Sequence, residues 1–252
     1  MTFLKLLLTL VLTCVAVVPC NAASPTPDEI IAAFFGPSGI ADKGAHYTGE
    51  MMRLHAIDPT LGEGLKPGVS FASRRLPLSP EETPAFAVTL SDGVVLMDWY
   101  AYFASGGEGL KLKAVRTGGP SGLFHDHMVQ LAERTARTSD EEWEYQHLRL
   151  AFLSDQERIA HFRARIADLD ALVALIKSGS ADAIHEKMRL LHLRGYERGE
   201  RGHLAIWIGA GLLTSTSGVL YAPQDLPPPP ISEDHYIYIE HIEGPWYVYK
   251  TT

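Results

Sequence analysis

Both cysteines of the chain, Cys14 and Cys20, fall inside an N-terminal stretch that reads as a secretory leader, so whatever folds behind it must hold together without a disulfide. Lys5 is the only charge in the first 22 residues, and residues 6–18 form an apolar run that Pro19 breaks. Cys20-Asn21-Ala22 then places small residues three and one before a cut. The run is well short of the roughly 20 residues that a membrane-spanning helix needs. The pattern predicts cleavage after Ala22, a mature chain starting at Ala23, a periplasmic or secreted location, and no membrane insertion after cleavage. Lipidation at Cys20 fits less well, because Pro19 stands where lipid attachment wants a small residue.

Without the 22 leader residues, 230 of the 252 remain, enough for one large domain or two small ones. A chain of that length buries about 70% of its unfolded surface and needs no covalent staple. The formal charge is −8, and about −9 once Lys5 leaves with the leader. A surface of that sign repels nucleic acid and anionic lipid, so no nucleic-acid partner is expected.

The hydrophobic period switches along the chain from helix to strand, then to helices and to strand again. Thr26-Pro27-Asp28-Glu29 is a helix start, with Ile30, Ile31, Phe34 and Phe35 as the apolar face and Gly36-Pro37 as the stop. Residues 45–56 suggest a second short helix. Residues 69–76, 85–90, 94–104 and 110–116 read as an antiparallel meander. In the third of these, Trp99, Ala101 and Phe103 share one face and Asp98, Tyr100 and Tyr102 the other, which marks a central strand. A helix over 121–135 follows, and the alternation of Trp143, Tyr145 and His147 reads as a strand with a bulge.

Ser154-Asp155-Gln156-Glu157 is a capping box. Behind it Ile159, Phe162, Ile166, Leu169, Val173 and Ile176 form one apolar stripe, predicting a single long helix that Ser178-Gly179 ends. A second helix over 181–191 should pack beside it. Strands over 204–208, 219–222, 235–242 and 246–250 close the chain, with Pro227–Pro230 as a stiff connector. The expected class is α+β, antiparallel sheets with packed helices, in two similar-sized halves covering residues 23–118 and 119–252.

No linear catalytic motif is present, neither a G-x-S-x-G elbow nor a phosphate-binding glycine loop, and no catalytic residue, cofactor or metal site is assigned. His125 and His127 lie about 200° apart on the predicted helix, which disfavours a shared metal. His185 and His192, with Asp182 and Arg189, share a helix face, read as a solvated surface. Gly209-Ala210-Gly211 reads as a bend in a buried strand.

Two features suit recognition. Tyr236 and Tyr238, with Tyr247 and Tyr249, would form a tyrosine patch on the terminal hairpin. Arg194, Arg198 and Arg201 form a glycine-spaced basic loop that reads mainly as solvated and would add cationic contacts. An acidic, cysteine-free, exported chain without catalytic motifs fits an exported, non-enzymatic binding protein with a protein partner, such as an envelope adaptor or an inhibitor (immunity protein) against a secreted toxin, and these residues are where that partner would dock. A small-ligand carrier with a sheet–helix pocket comes second. A hydrolase with a dispersed active site comes third.

Overall fold

The computed structural model describes residues 24–36, 42–62, 64–65, 67–93, 96–107, 109–119, 122–199, 202–209 and 215–252. Residues 1–22, expected above to be a leader, and Arg201 lie outside the described residues. Helix α1 (Pro27–Phe35) starts at the anticipated capping box: the Glu29 N–H donates to the Thr26 hydroxyl, and the Thr26 N–H to the Glu29 carboxylate at 2.7 Å. Its buried face is Ile30, Ile31 and Phe35. The helix expected over 45–56 is instead two, α2 (Lys43–His46) and α3 (Gly49–Ile57). Tyr47 separates them because its backbone bridges to Leu112 while its buried ring packs edge-on to Phe34.

Strands β1 (Ser70–Arg75), β2 (Ala85–Ser91), β3 (Leu96–Gly106) and β4 (Gly109–Thr117) form an antiparallel meander in sequence order, with β3 interior. Its outer face, Phe86, Val88, Ala101, Phe103 and Leu112, packs on Ile30, Ile31, Phe35 and Met51 in a core with no buried charge among the described residues. Full burial of each large side chain stabilises by roughly 1.5–3 kcal/mol. Arg116 of β4 pins α3 by a two-pronged pair to Glu50, at 2.8 and 2.5 Å.

The middle of the chain is helical: α4 (Gly122–Ala132), α5 (Ser139–Phe152), α6 (Asp155–Arg163), α7 (Ile166–Ser178) and α8 (Ala181–Leu190). Of residues 143–153, expected as a strand, 143–152 belong to α5 and Leu153 caps it. The Thr138–Glu141 capping box starts this helix, and Asp140, Glu141 and Glu142 in its first turn complement the positive end of its dipole. Those signals lie upstream of the misleading alternation. The single long helix is also corrected. The chain turns at Ala164-Arg165, where the Arg165 N–H reaches back only three residues to the Phe162 carbonyl at 2.9 Å. Phe162 and Leu169 are buried on either side of the break, while Ile166 is only half-buried. Gly179, left-handed at φ 80°, ends α7 as anticipated.

Strands β5 (Gly195–Arg198), β6 (Leu204–Trp207), β7 (Ser217–Tyr221), β8 (Tyr236–Glu243) and β9 (Trp246–Thr251) make an antiparallel sheet of order β5-β6-β7-β9-β8. The fold is α+β: two antiparallel sheets with packed helices, as the sequence indicated. Strand β5 was not anticipated. Gly195 permits it, because the Trp207 ring lies so close that a side chain at 195 would overlap it.

The larger core unites Tyr100 and Tyr102 from the inner face of the first sheet with Phe162, Leu169 and Leu172 from the helices and Val219, Tyr238 and Trp246 from the second sheet. Tyr102 donates to the Ile237 carbonyl, and Tyr100 stacks on Tyr238 at 5.2 Å. No helix among the described residues is long and apolar enough to cross a membrane.

Candidate functional site: a cationic cleft between helices

Two charged centres emerge from this packing. The first is closed. Asp98 of β3, Asp155 and Arg158 of α6, and Lys250 of β9 are each at most 6% exposed. Lys250 Nζ lies 2.9 Å from Asp155 Oδ1 and 3.8 Å from Asp98 Oδ2, over the rings of Tyr100 and Tyr238. The Asp155 N–H at the start of α6 donates to Asp98 Oδ2 at 2.8 Å, Tyr100 donates to Asp155 at 2.8 Å, and Thr89 to Asp98 at 2.6 Å. Arg158 donates to the Ala151 and Leu153 carbonyls at the end of α5. Burial raises the Asp98 pKa, with the Asp155 charge adding to it, and burial lowers that of Lys250. Two acids and two bases balance, and the centre is sealed, so its role is to lock β3, α6 and β9 together.

The second centre is open. Gln146, Arg149 and Leu150 of α5, with Leu153 just after it, form one wall of a cleft of about 280 Å³. His161 of α6, Arg165 in the α6–α7 turn and His192 after α8 complete it. No carboxylate stands among these lining residues, although the chain as a whole carries a charge of −8. His161 Nε2 and His192 Nδ1 are buried and find no hydrogen-bond partner among the described residues. Burial lowers the pKa of His161, and the positive charges of Arg165, His192 and Arg149 lower it further. His192 is lowered by burial and then by Arg165, with Glu142 opposing. Burial is the larger cause for both rings, and the Arg165 charge adds to it.

His192 is held there at a cost. It occupies the left-handed position of a helix stop, with φ 56°, where glycine is the usual residue. The His192 N–H donates to the Arg189 carbonyl and the Leu193 N–H to that of Met188, the two bonds of a Schellman motif. A non-glycine residue in this region costs roughly 1–2 kcal/mol. Such strain gathers at functional sites.

His147 fixes the His192 backbone from the other side. Arg194 Nε donates to His147 Nε2 at 3.0 Å, so the proton sits on Nδ1 and is donated to the His192 carbonyl at 2.8 Å. Burial pushes the His147 pKa down to about 4, despite the hydrogen bond to His192, so the ring is neutral at neutral pH. Trp143, one turn before it on α5, stacks on the His147 ring at 4.9 Å.

The residues singled out in the sequence fall in different places. Tyr238 and Tyr249 are interior, 0% and 2% exposed, so the exposed tyrosine patch does not form as expected. A bulge between Tyr236 and Tyr238 breaks the period of two and turns them to opposite faces. Tyr236 packs half-buried on Tyr249 in a separate sheet-side cleft of about 320 Å³, and Tyr247 packs on His241. Arg198 donates to the Ile176 carbonyl at the end of α7, and Arg194 serves His147. His125 and His127 lie on α4, the latter 3.4 Å from Glu144. His192 leaves the α8 face that His185 occupies.

Sequence reasoning missed Gln146, Arg149, His161 and Arg165. Gln146 and Arg149 are three apart on α5, and His161 and Arg165 four apart, but reading 143–153 as a strand hid the first pair. Comparison with family models, with curated proteins and with solved structures finds no match for this chain. Fold and site together define an α+β protein with a cationic cleft between its helices.

Proposed function

We propose that this is an exported binding protein, not a catalyst, that holds an anionic group in the cleft between α5, the α6–α7 turn and the residue after α8. The supporting observation is the lining itself: two guanidinium groups and two imidazoles with unpartnered buried nitrogens, and no acid among them, in an acidic protein. Guanidinium forks match carboxylate and phosphate geometry, and charge-assisted bonds are the strong ones. This places the ligand-carrier reading ahead of the adaptor and toxin-inhibitor reading, whose tyrosine patch is half interior.

Calorimetry with inorganic phosphate and with sulfate tests the cleft. Arg149→Ala with Arg165→Ala should weaken binding by ten-fold or more while the fold persists, since charged hydrogen bonds contribute about 1.5–3 kcal/mol each. Absence of anion binding by the wild-type protein would remove the proposal. The export component has its own test: N-terminal sequencing of protein from the envelope fraction should begin at Ala23, and a retained Met1 would refute it.

A further inference from the structure

Resting on the anion-binding reading, we infer that the ligand is an amphiphilic anion, an aryl phosphate or aryl carboxylate, whose aromatic body fills a second cleft beside the first. That second cleft measures about 270 Å³ and is lined by Trp143, His185, Met188, Arg189, Leu193 and Arg194. The two lie close: Trp143 lines the second cleft, His192 lines the first, and their ring centres are 6.3 Å apart.

The chemistry divides along that boundary. The first cleft offers charge and hydrogen-bond donors. The second offers an indole, a thioether and a leucine as an apolar surface. Its cations sit around the aromatic ring, the Arg194 and Arg189 guanidinium carbons lying 5.4 and 5.8 Å from the centre of Trp143. Arg189 is already paired with Asp140 at 2.6 Å, and Trp143 Nε1 donates to the Arg189 carbonyl at 2.8 Å, so the indole is held in place before any ligand arrives. Flat, electron-rich rings stack between guanidinium planes and indole faces, whereas a bare inorganic anion would use none of this surface. Each cleft, about 280 and 270 Å³, is close to the lower end of the range of small-molecule sites.

The test compares inorganic phosphate, phenyl phosphate and phenol on the wild-type protein by calorimetry, with the Met188 methyl followed by NMR. Phenyl phosphate should bind about ten-fold or more tightly than phosphate, the scale of one aromatic stack. It should also move the Met188 methyl by ring current, while phosphate leaves that signal in place. Trp143→Leu should erase most of the preference, and a retained preference overturns the inference. Equal affinity for phosphate and phenyl phosphate also overturns it while leaving the anion-binding reading intact. Failure of both phosphates to bind removes that reading itself. Phenol binding as tightly as phenyl phosphate would contradict both.

Discussion

Asp98, Asp155, Lys250 and Arg158 meet in the core as two acids and two bases, whereas Arg149, His161, Arg165 and His192 face one another across an open cleft with no acid in its lining. Charges removed from water cost several kcal/mol each and persist only with a partner, so the first group is an architectural lock. In the open cleft the guanidinium groups reach solvent, and burial, with the Arg165 charge adding to it, depresses the pKa values of His161 and His192. Within one acidic chain, the charges that hold the fold sit beside opposite charges, whereas Arg149 and Arg165 of the cleft meet only neutral acceptors, Gln146 and the Leu190 carbonyl, among the described residues.

The comparison breaks most easily in the core. Lys250→Ala should cost about 3–5 kcal/mol of unfolding free energy, because it leaves the buried Asp155 and Asp98 with Arg158 as the one base of the centre. Lys250→Met combined with Asp155→Leu should recover much of that loss. Urea midpoints read both, and a single-variant cost below about 1 kcal/mol would mean that the centre locks nothing.

Acid should act next. His147 titrates at about 4 in the folded state and near 6.5 when unfolded, so between these values the unfolded chain binds the extra proton. Stability therefore falls as pH drops from about 6.5 to about 4, by on the order of 3 kcal/mol. His161 and His192, also depressed, push the same way, and Asp98, raised by burial, opposes them. The slope should be shallower in His147→Gln, and an unchanged slope would show that this imidazole is not the group responsible.

At the cleft the expected changes are smaller and run in opposite directions. His192→Gly relieves a left-handed non-glycine residue and should stabilise by up to about 1 kcal/mol while weakening anion binding. Loss of both stability and binding would assign the strain no functional meaning. Arg165→Gln should leave stability within about 0.5 kcal/mol and raise the histidine pKa values of His161 and His192, followed by NMR. An unmoved pair of titrations would show that these groups do not face one another.

Much of the architecture was legible because it rests on local signals. The Thr26–Glu29 and Ser154–Glu157 capping boxes, the stop at Gly179 and the two-faced pattern of β3 each carry their meaning within a few residues. What failed did so through period. Trp143, Tyr145 and His147 alternate by accident on a helix whose cap lies upstream, and the stripe from Ile159 to Ile176 keeps its spacing across the turn at Arg165. The bulge after Tyr236 reversed a face that alternation assigned. The cleft was hidden for a different reason: its cations come from α5, the α6–α7 turn and the residue beyond α8, and only tertiary packing gathers them.

The position of β9 has a consequence for the order of assembly. This strand lies between β7 and β8 and carries Lys250, while its partners Asp98 and Asp155 are synthesised long before it. Until residues 246–251 emerge, the inner face of the first sheet and the start of α6 present two carboxylates without their ammonium partner. Closure of the interior should therefore wait for β9, and contacts such as Arg74 with Glu240, separated by most of the chain, make that closure slow.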